Sequence, residues 1–303
     1  MSFQVGADAK VVVGIDAGAS LTRARALAGD RVIFEGRGGP GNPLAAAADV
    51  LADSYRTSLT GCPEPARVTA CVSGAGGERQ RAQVRDLLAD LLPGAAIEVV
   101  PDYVAALLAA PPGTDVVVVA GTGSVVCSRS PDGGYDVSGG RGWIVGDRGS
   151  AARLGQAALE RYCEDPGSDP ELASAVGDCL GLTDWRQIVT ALSASRNPSC
   201  ILATAAPVLT RAAENGSPWA VTRLGAEMAA LASVTARHIE RHLRAAAAVR
   251  VALAGGVWTS RAARAAFAAA LDQNRTGLPA RIAGPIDPLD GAARLAGKPG
   301  PSR

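Results

Sequence analysis

A chain of 303 residues with 48% hydrophobic side chains holds one large domain or two ordinary ones with proper cores, and two is the better expectation. Thirty Lys and Arg against twenty-nine Asp and Glu leave a formal charge of +1, so no global field argues for nucleic acid or a membrane surface as partner. Charges or glycines interrupt every apolar run before about 18 residues, and residues 1–10 lack a basic stretch followed by an apolar one. A cytoplasmic protein acting on a small ligand is expected.

From Val11 the sequence reads as three short strands, VVVGIDAG, TRARALAG and RVIFEGRG, with Gly29-Asp30 as a hairpin signal between the second and third. A helix is expected over residues 43–59, with Asn42 as N-cap and Pro43 in the first helical position. The strand RVTACVSG, the helix ERQRAQVRDLLADLL, the strand IEVVPD and the helix YVAALLAA follow. After Pro111 and Pro112, a natural junction, the order begins again with DVVVVAGTGS, VVCSRS and GGYDVSGG. Ala-rich helices are expected over residues 150–248, then the strand VRVALAGGV, the helix SRAARAAFAAALDQN, the strand ARIAGPI and a last helix over 290–296. The first eight residues and the tail GKPGPSR lack periodicity and are expected to be mobile. Such a repeat implies two similar α/β lobes, 1–110 joined by a C-terminal helix over about 285–303, and 111–284 with a helical layer, with ligands in a cleft between them.

The six cysteines, Cys62, Cys71, Cys127, Cys163, Cys179 and Cys200, form no C-x-x-C pair and have only two histidines to join them. Isolated thiols in a reducing compartment are the plain reading.

Chemistry concentrates where strands end. The segment Gly14-Ile15-Asp16-Ala17-Gly18-Ala19-Ser20 closes the first strand with an acid, a small-residue turn and a hydroxyl. Turned N–H groups there form an anion-binding nest that phosphate oxygens can approach, and Asp16 at the strand end is placed to hold hydrated Mg²⁺ beside them. An ordinary Gly-rich hairpin is the rival. A second such turn, Gly121-Thr122-Gly123, ends the matching strand of the other half, and two such turns at equivalent positions fit one triphosphate better than either fits alone. Asp102 lies between a strand and an apolar helix, where helix capping and general-base catalysis are both open. Asp147 lies in the glycine-dense run Gly139 to Ser150, as a sugar-hydroxyl acceptor or a cap. Gly255-Gly256 turns from a late strand into a helix capped by Thr259 or Ser260, and admits close approach of a flat ring such as adenine.

The ordered series DAGAS, GPGNP, VSGAGG, VVPDYVAAL, AGTGS, GGRGWIVGDRGS, LAGGV and DPLDGAARLA resembles the N-acetylglucosamine kinase branch of the actin-like ATPases. That group also includes activator ATPases of 2-hydroxyacyl-CoA dehydratases and benzoyl-CoA reductase. The resemblance runs over residues 11–296 and implies two ribonuclease-H-like lobes, ATP and Mg²⁺ as cofactors, phosphorylation of an amino sugar or related hexose, and a homodimer paired through the second lobe. It places Asp16, Gly18 and Ser20 on the first phosphate loop, Gly121, Thr122 and Gly123 on the second, and Gly255 and Gly256 beside adenosine. By the same resemblance Asn42, Ser73, Asp102 and Asp147 contact the sugar, with Asp102 as catalytic base.

Departures from the family pattern mark the same places. The first loop carries Ala17 and Ala19 where glycines are usual, Val125 stands where some members place a sugar-binding asparagine, and Arg148 stands where a glutamate is common. Ala17, Ala19 and Arg148 motivate a second reading, a non-catalytic sensor of sugar or nucleotide. A third, an iron-sulfur activator ATPase, needs cysteines clustered on one surface.

Overall fold

The three opening strands form an antiparallel meander because each is short, rich in β-branched or small residues and separated from the next by a tight turn. In the computed structural model, which describes residues 10–243, 248–274 and 280–298, they are β1 (Val11–Ala17), β2 (Thr22–Ala28) and β3 (Arg31–Gly38). The chain divides into two compact units, Met1–Ala109 with Asp287–Arg303, and Ala110–Ile286.

The first unit adds α1 (Ala48–Ser58), β4 (Arg67–Val72), α2 (Glu78–Leu91), β5 (Ala96–Pro101) and α3 (Asp102–Ala109). Its five-stranded sheet runs β3-β2-β1-β4-β5, antiparallel in the meander and parallel from β1 through β4 to β5. Val13, Ile15, Tyr55, Val68 and Leu88 are fully buried in its core. The helix expected over 43–59 begins at Ala48 instead. Asn42 caps a turn, its Oδ1 accepting from Leu44 N at 2.8 Å, because a short amide side chain competes with the helix for nearby N–H groups.

The last helix returns to this sheet. The α-helix that closes the described chain, Pro288–Gly297, packs on α3 and β1. A Cβ at Gly14 would strike the backbone of Ala292 and Ala293, so only glycine lets helix and strand approach that closely. The helix starts earlier than the expected 290, with Pro288 in its first turn and Asp287 as N-cap accepting from Leu289 N at 3.1 Å.

The second unit repeats the plan. It contains β6 (Val116–Ala120), β7 (Ser124–Arg129), β8 (Tyr135–Gly139), then six helices from α4 (Ala151–Glu164) to α9 (Pro218–His242). β9 (Val249–Ala254), α10 (Arg261–Asn274) and β10 (Ala280–Ile286) complete it, and the returning helix of the first unit is α11. The sheet order is β10-β9-β6-β7-β8, the same meander-plus-parallel arrangement. The Ala-rich stretch expected over 150–248 is broken by prolines and caps at Asp169-Pro170, Asp184, Pro198, Pro207 and Pro218. Its residues 244–247 lie outside the described residues, as do the first eight residues and the tail from position 299. Trp258 and Phe267 meet edge to face at 5.1 Å in its core, and the indole Nε1 donates to Val118 O at 3.1 Å.

The expectation of two ribonuclease-H-like lobes is met. Among the described residues no helix is long and apolar enough to cross a membrane.

Candidate functional site

The first unit gathers three of the candidate residues at the C-terminal ends of its parallel strands, with Asn42 beside them. Asp16 is the penultimate residue of β1, Ser73 follows β4, and Asp102 follows β5 as the first residue of α3. Ser73 N donates to Ala17 O at 2.8 Å, and the Ser73 side chain hydrogen-bonds the Asp102 carboxylate. Asn42 lies against the backbone of Gly74, which turns with φ of 76°. Strand ends collect these residues because the parallel register stops β1, β4 and β5 together, Ala17 opposite Val72 and Val72 opposite Pro101.

Burial pushes the Asp102 carboxyl up to about 6, with Asp16 adding to the effect and hydrogen bonds from Tyr103 N and Ser73 opposing it. Its Oδ1 accepts from Tyr103 N at 3.0 Å, so it satisfies the first turn of α3 and faces the site at once. Asp16 is also raised by burial, against the pull of Arg23. The same guanidinium nitrogen of Arg23 lies 2.6 Å from Asp16 Oδ2 and 2.7 Å from Asp287 Oδ1.

Neither Arg23 nor Asp287 was assigned a role from the sequence. The hairpin register, which sets Asp16 opposite Arg23, is the signal that would have found the first. Asp287 is 264 positions from Arg23, and nothing local marks it.

The first turn itself is closed by Gly18 N donating to Leu21 O at 2.8 Å, and Gly41 N donates to Gly18 O at 2.9 Å. Gly18 and Ser20 both lie in this connection between β1 and β2. Ala17 is fully buried in the core of the unit, so its added methyl packs inward and does not line the turn. Ala19 remains in the turn, half-buried.

The second unit builds its turn on a helix start. Gly121 N donates to Gly123 O at 2.9 Å, and Ala151 N and Ala152 N donate to Gly121 O and Thr122 O at 2.8 and 3.2 Å. The first N–H groups of α4, which have no partner within the helix, thus hold the turn from below. Ser150 caps the same helix, so the capping role considered for Asp147 belongs to Ser150. Asp147, with φ of 48°, is the one non-glycine residue in the left-handed region among the described residues. It is 9% exposed, burial pushes its carboxyl up, and Gly142 N donates to its Oδ1 at 3.2 Å. Its Oδ2 lies 2.7 Å from where a Cβ on Gly123 would sit, so carboxylate and turn adjoin directly.

Gly255 closes on the same turn. Its φ is 104°, and a Cβ there would strike Ala120 O. Gly256 opens a 3₁₀ turn to Thr259, and Ser260 rather than Thr259 caps α10, its Oγ accepting from Ala263 N at 3.3 Å.

The donor set fits Mg²⁺ in one mode only. Among the described residues no group of three or more His, Cys, Asp or Glu is arranged to hold a bare ion. A hydrated Mg²⁺ bridged by phosphates needs only one or two carboxylates, and Asp16 offers Oδ1 while Arg23 takes Oδ2. For phosphates, a Cβ on Gly121 would meet nothing within 4 Å, so the second turn has an open side. None of the six cysteines is in a disulfide, and Cys71 and Cys127 are buried in the sheets.

No family model matches the chain, and no curated protein matches it. Solved structures do. A Chromobacterium violaceum protein carrying the provisional name N-acetylglucosamine kinase aligns over 95% of this chain and 99% of its own, at 24% identity and a TM-score of 0.68. A Porphyromonas gingivalis protein with the same provisional name aligns over 93% and 97%, at 17% identity and 0.74. A ROK family glucokinase from Streptomyces griseus, in complex with glucose and AMPPNP, aligns over 94% and 99%, at 18% identity and 0.60.

The chain shares its fold with these solved structures. Likeness at these identities establishes architecture, and the site chemistry rests on the residues described above.

Proposed function

We propose that the chain is an ATP-dependent sugar kinase that moves the γ-phosphoryl group of ATP to a hydroxyl of an amino sugar or related hexose. The observation that carries this reading is Asp102, a carboxylate at a strand end with its pKa lifted to about 6 and held in place by Ser73 and Tyr103 N. A base poised just below neutrality is ionised in the cell and takes a hydroxyl proton as oxygen–phosphorus bonding develops. Asn42, Ser73 and Asp147 are the sugar contacts, and Gly18, Ser20, Gly121, Thr122 and Gly123 the phosphate-binding residues. Gly255 and Gly256 serve the adenosine side. Asp16 would hold a hydrated Mg²⁺, which when bound would neutralise charge on the transferring phosphoryl group.

The solved structures of this fold support the reading, one of them a glucokinase holding glucose and AMPPNP. Pairing into a homodimer and a cytoplasmic location belong to the same proposal. ADP release measured against a panel of neutral, amino and acidic sugars tests it. Turnover by the wild type with loss in Asp102→Asn is expected, and wild-type turnover by the variant would overturn the base assignment.

One observation favours a second reading, a sensor that binds without transferring phosphate. Arg23 already neutralises the carboxylate that would hold the cation. Tight sugar binding in calorimetry with no ADP release from any acceptor would select it.

A further inference from the structure

Within the second unit, a hollow of about 280 Å³ opens beside Asp147. Four guanidinium groups line it: Arg141 and Arg148 from the loop between β8 and α4, and Arg237 and Arg241 from α9. Leu231, Val234, Arg237 and Arg241 are spaced by three, three and four residues, which sets them on one helix face. Val125 and Arg148, two of the departures from the family pattern, both line this same hollow.

The four positive charges face a single carboxylate. Elsewhere Arg23, Arg25, Arg81 and Arg153 each engage a carboxylate, whereas none of these four arginines forms an ion pair among the described residues. The carboxylate lining the hollow is Asp147, held instead by backbone N–H groups. Like charges gathered in a concavity focus positive potential, and guanidinium groups match carboxylate and phosphate oxygens in two-pronged fashion. A neutral sugar offers such a set hydroxyl acceptors but no charge to match. Val125 at the same wall offers no hydrogen bond to an amide substituent and provides an apolar face for a ring instead.

We infer that the ligand of this hollow is an anionic sugar, one whose ring hydroxyls meet Asp147 and whose carboxylate or phosphate group meets the arginines. The inference rests on the reading of Asp147 as a sugar contact and names the class of acceptor that reading leaves open. Anionic substituent and accepting hydroxyl are different groups of one molecule.

Calorimetric titration of the full chain, with a non-hydrolysable ATP analogue present, tests it with four probes: glucose, glucuronate, glucose 1-phosphate and inorganic phosphate. At least one of the two anionic sugars is expected to bind about tenfold or more tighter than glucose, by about 1.4 kcal/mol, and to lose much of that advantage between about 20 and 200 mM salt. The exposed pair Arg237→Gln/Arg241→Gln, checked for an unchanged melting temperature, is expected to abolish the preference. Equal binding of glucose and both anionic sugars, or a preference intact in the double variant, would overturn the inference. So would inorganic phosphate binding as tightly as glucose 1-phosphate, since the site would then be for the anion alone.

ADP release followed in parallel separates this inference from the kinase reading. Turnover of neutral sugars without any anionic preference overturns the inference and leaves the kinase standing. Preferential binding of an anionic sugar without turnover supports the inference and overturns the kinase.

Discussion

Arg23 holds Asp16 across the first hairpin at 2.6 Å, directly opposite it in the β1–β2 register. This pairing sets the chemistry of the first unit, because the acid nearest the first Gly-rich turn is neutralised from its own neighbouring strand and shares that cation with Asp287. Replacing Arg23 with Gln leaves two partly buried carboxylates without their common partner. A loss of about 1–3 kcal/mol in stability is expected, measured by denaturant unfolding. In a double-mutant cycle with Asp16→Asn, the coupling is expected to be about 1 kcal/mol or more. Independent, additive effects would show that the pair contributes nothing.

Asp102→Asn is expected to lower turnover by roughly 10²- to 10⁴-fold while raising stability. The Asp102 pKa rises from 3.8 unfolded to about 6 folded, so the folded state binds more protons between those values and loses stability as pH rises through them. At neutral pH that cost is on the order of 3 kcal/mol, which the amide removes. Turnover by the wild type is expected to fall below about pH 6 as the base protonates. A variant equally inactive but less stable than wild type would contradict the burial argument.

His238 works in the opposite direction. Its ring is buried between Ser128 and Ser138, with Nε2 and Nδ1 at 3.0 and 2.9 Å from their hydroxyls, and burial lowers its pKa from 6.5 to about 4, His242 adding to the effect. The unfolded state therefore binds more protons over that window, and stability contributed by neutral His238 is lost as pH falls from about 6.5 towards 4. His238→Gln is expected to flatten this acid limb, in melts from pH 7 to 4. An unchanged limb would place the sensitivity elsewhere.

Gly255→Ala drives a methyl into the Ala120 carbonyl and asks alanine to adopt φ of 104°. Destabilisation of about 2 kcal/mol or more is expected, together with weaker nucleotide binding, because the displaced carbonyl begins the Gly121-Thr122-Gly123 turn. Thermal melts with and without an ATP analogue check both. An unshifted melting temperature would show that the backbone yields freely.

The sequence and the structure agree where the signal is local. Strand alternation and turn residues mark both meanders, and small residues at the ends of β1 and β6 mark the two turns. Asn42 and Pro43 have the residue types of a helix entry, yet the Asn42 side chain caps a turn six residues before α1 begins at Ala48. Long-range pairing was illegible for a different reason. Arg23 meets Asp287, and Arg148 shares a hollow with Arg237 and Arg241, only because sheet and helix packing joins distant segments. Asp287 lies inside the run DPLDGAARLA, yet spacing alone gives an N-cap aspartate no reason to face an arginine.

The return of α11 to the first sheet has a consequence for biosynthesis. The second unit is one continuous stretch, Ala110–Ile286, while the first unit needs Asp287 and the helix behind it. Domains fold as they leave the ribosome, at roughly 5–20 residues per second. The second unit can therefore be complete while Gly14 still lacks the helix that packs on it and Arg23 lacks its second carboxylate. The acid at the end of β1 reaches its final electrostatic surroundings only after the whole of the second unit has been made.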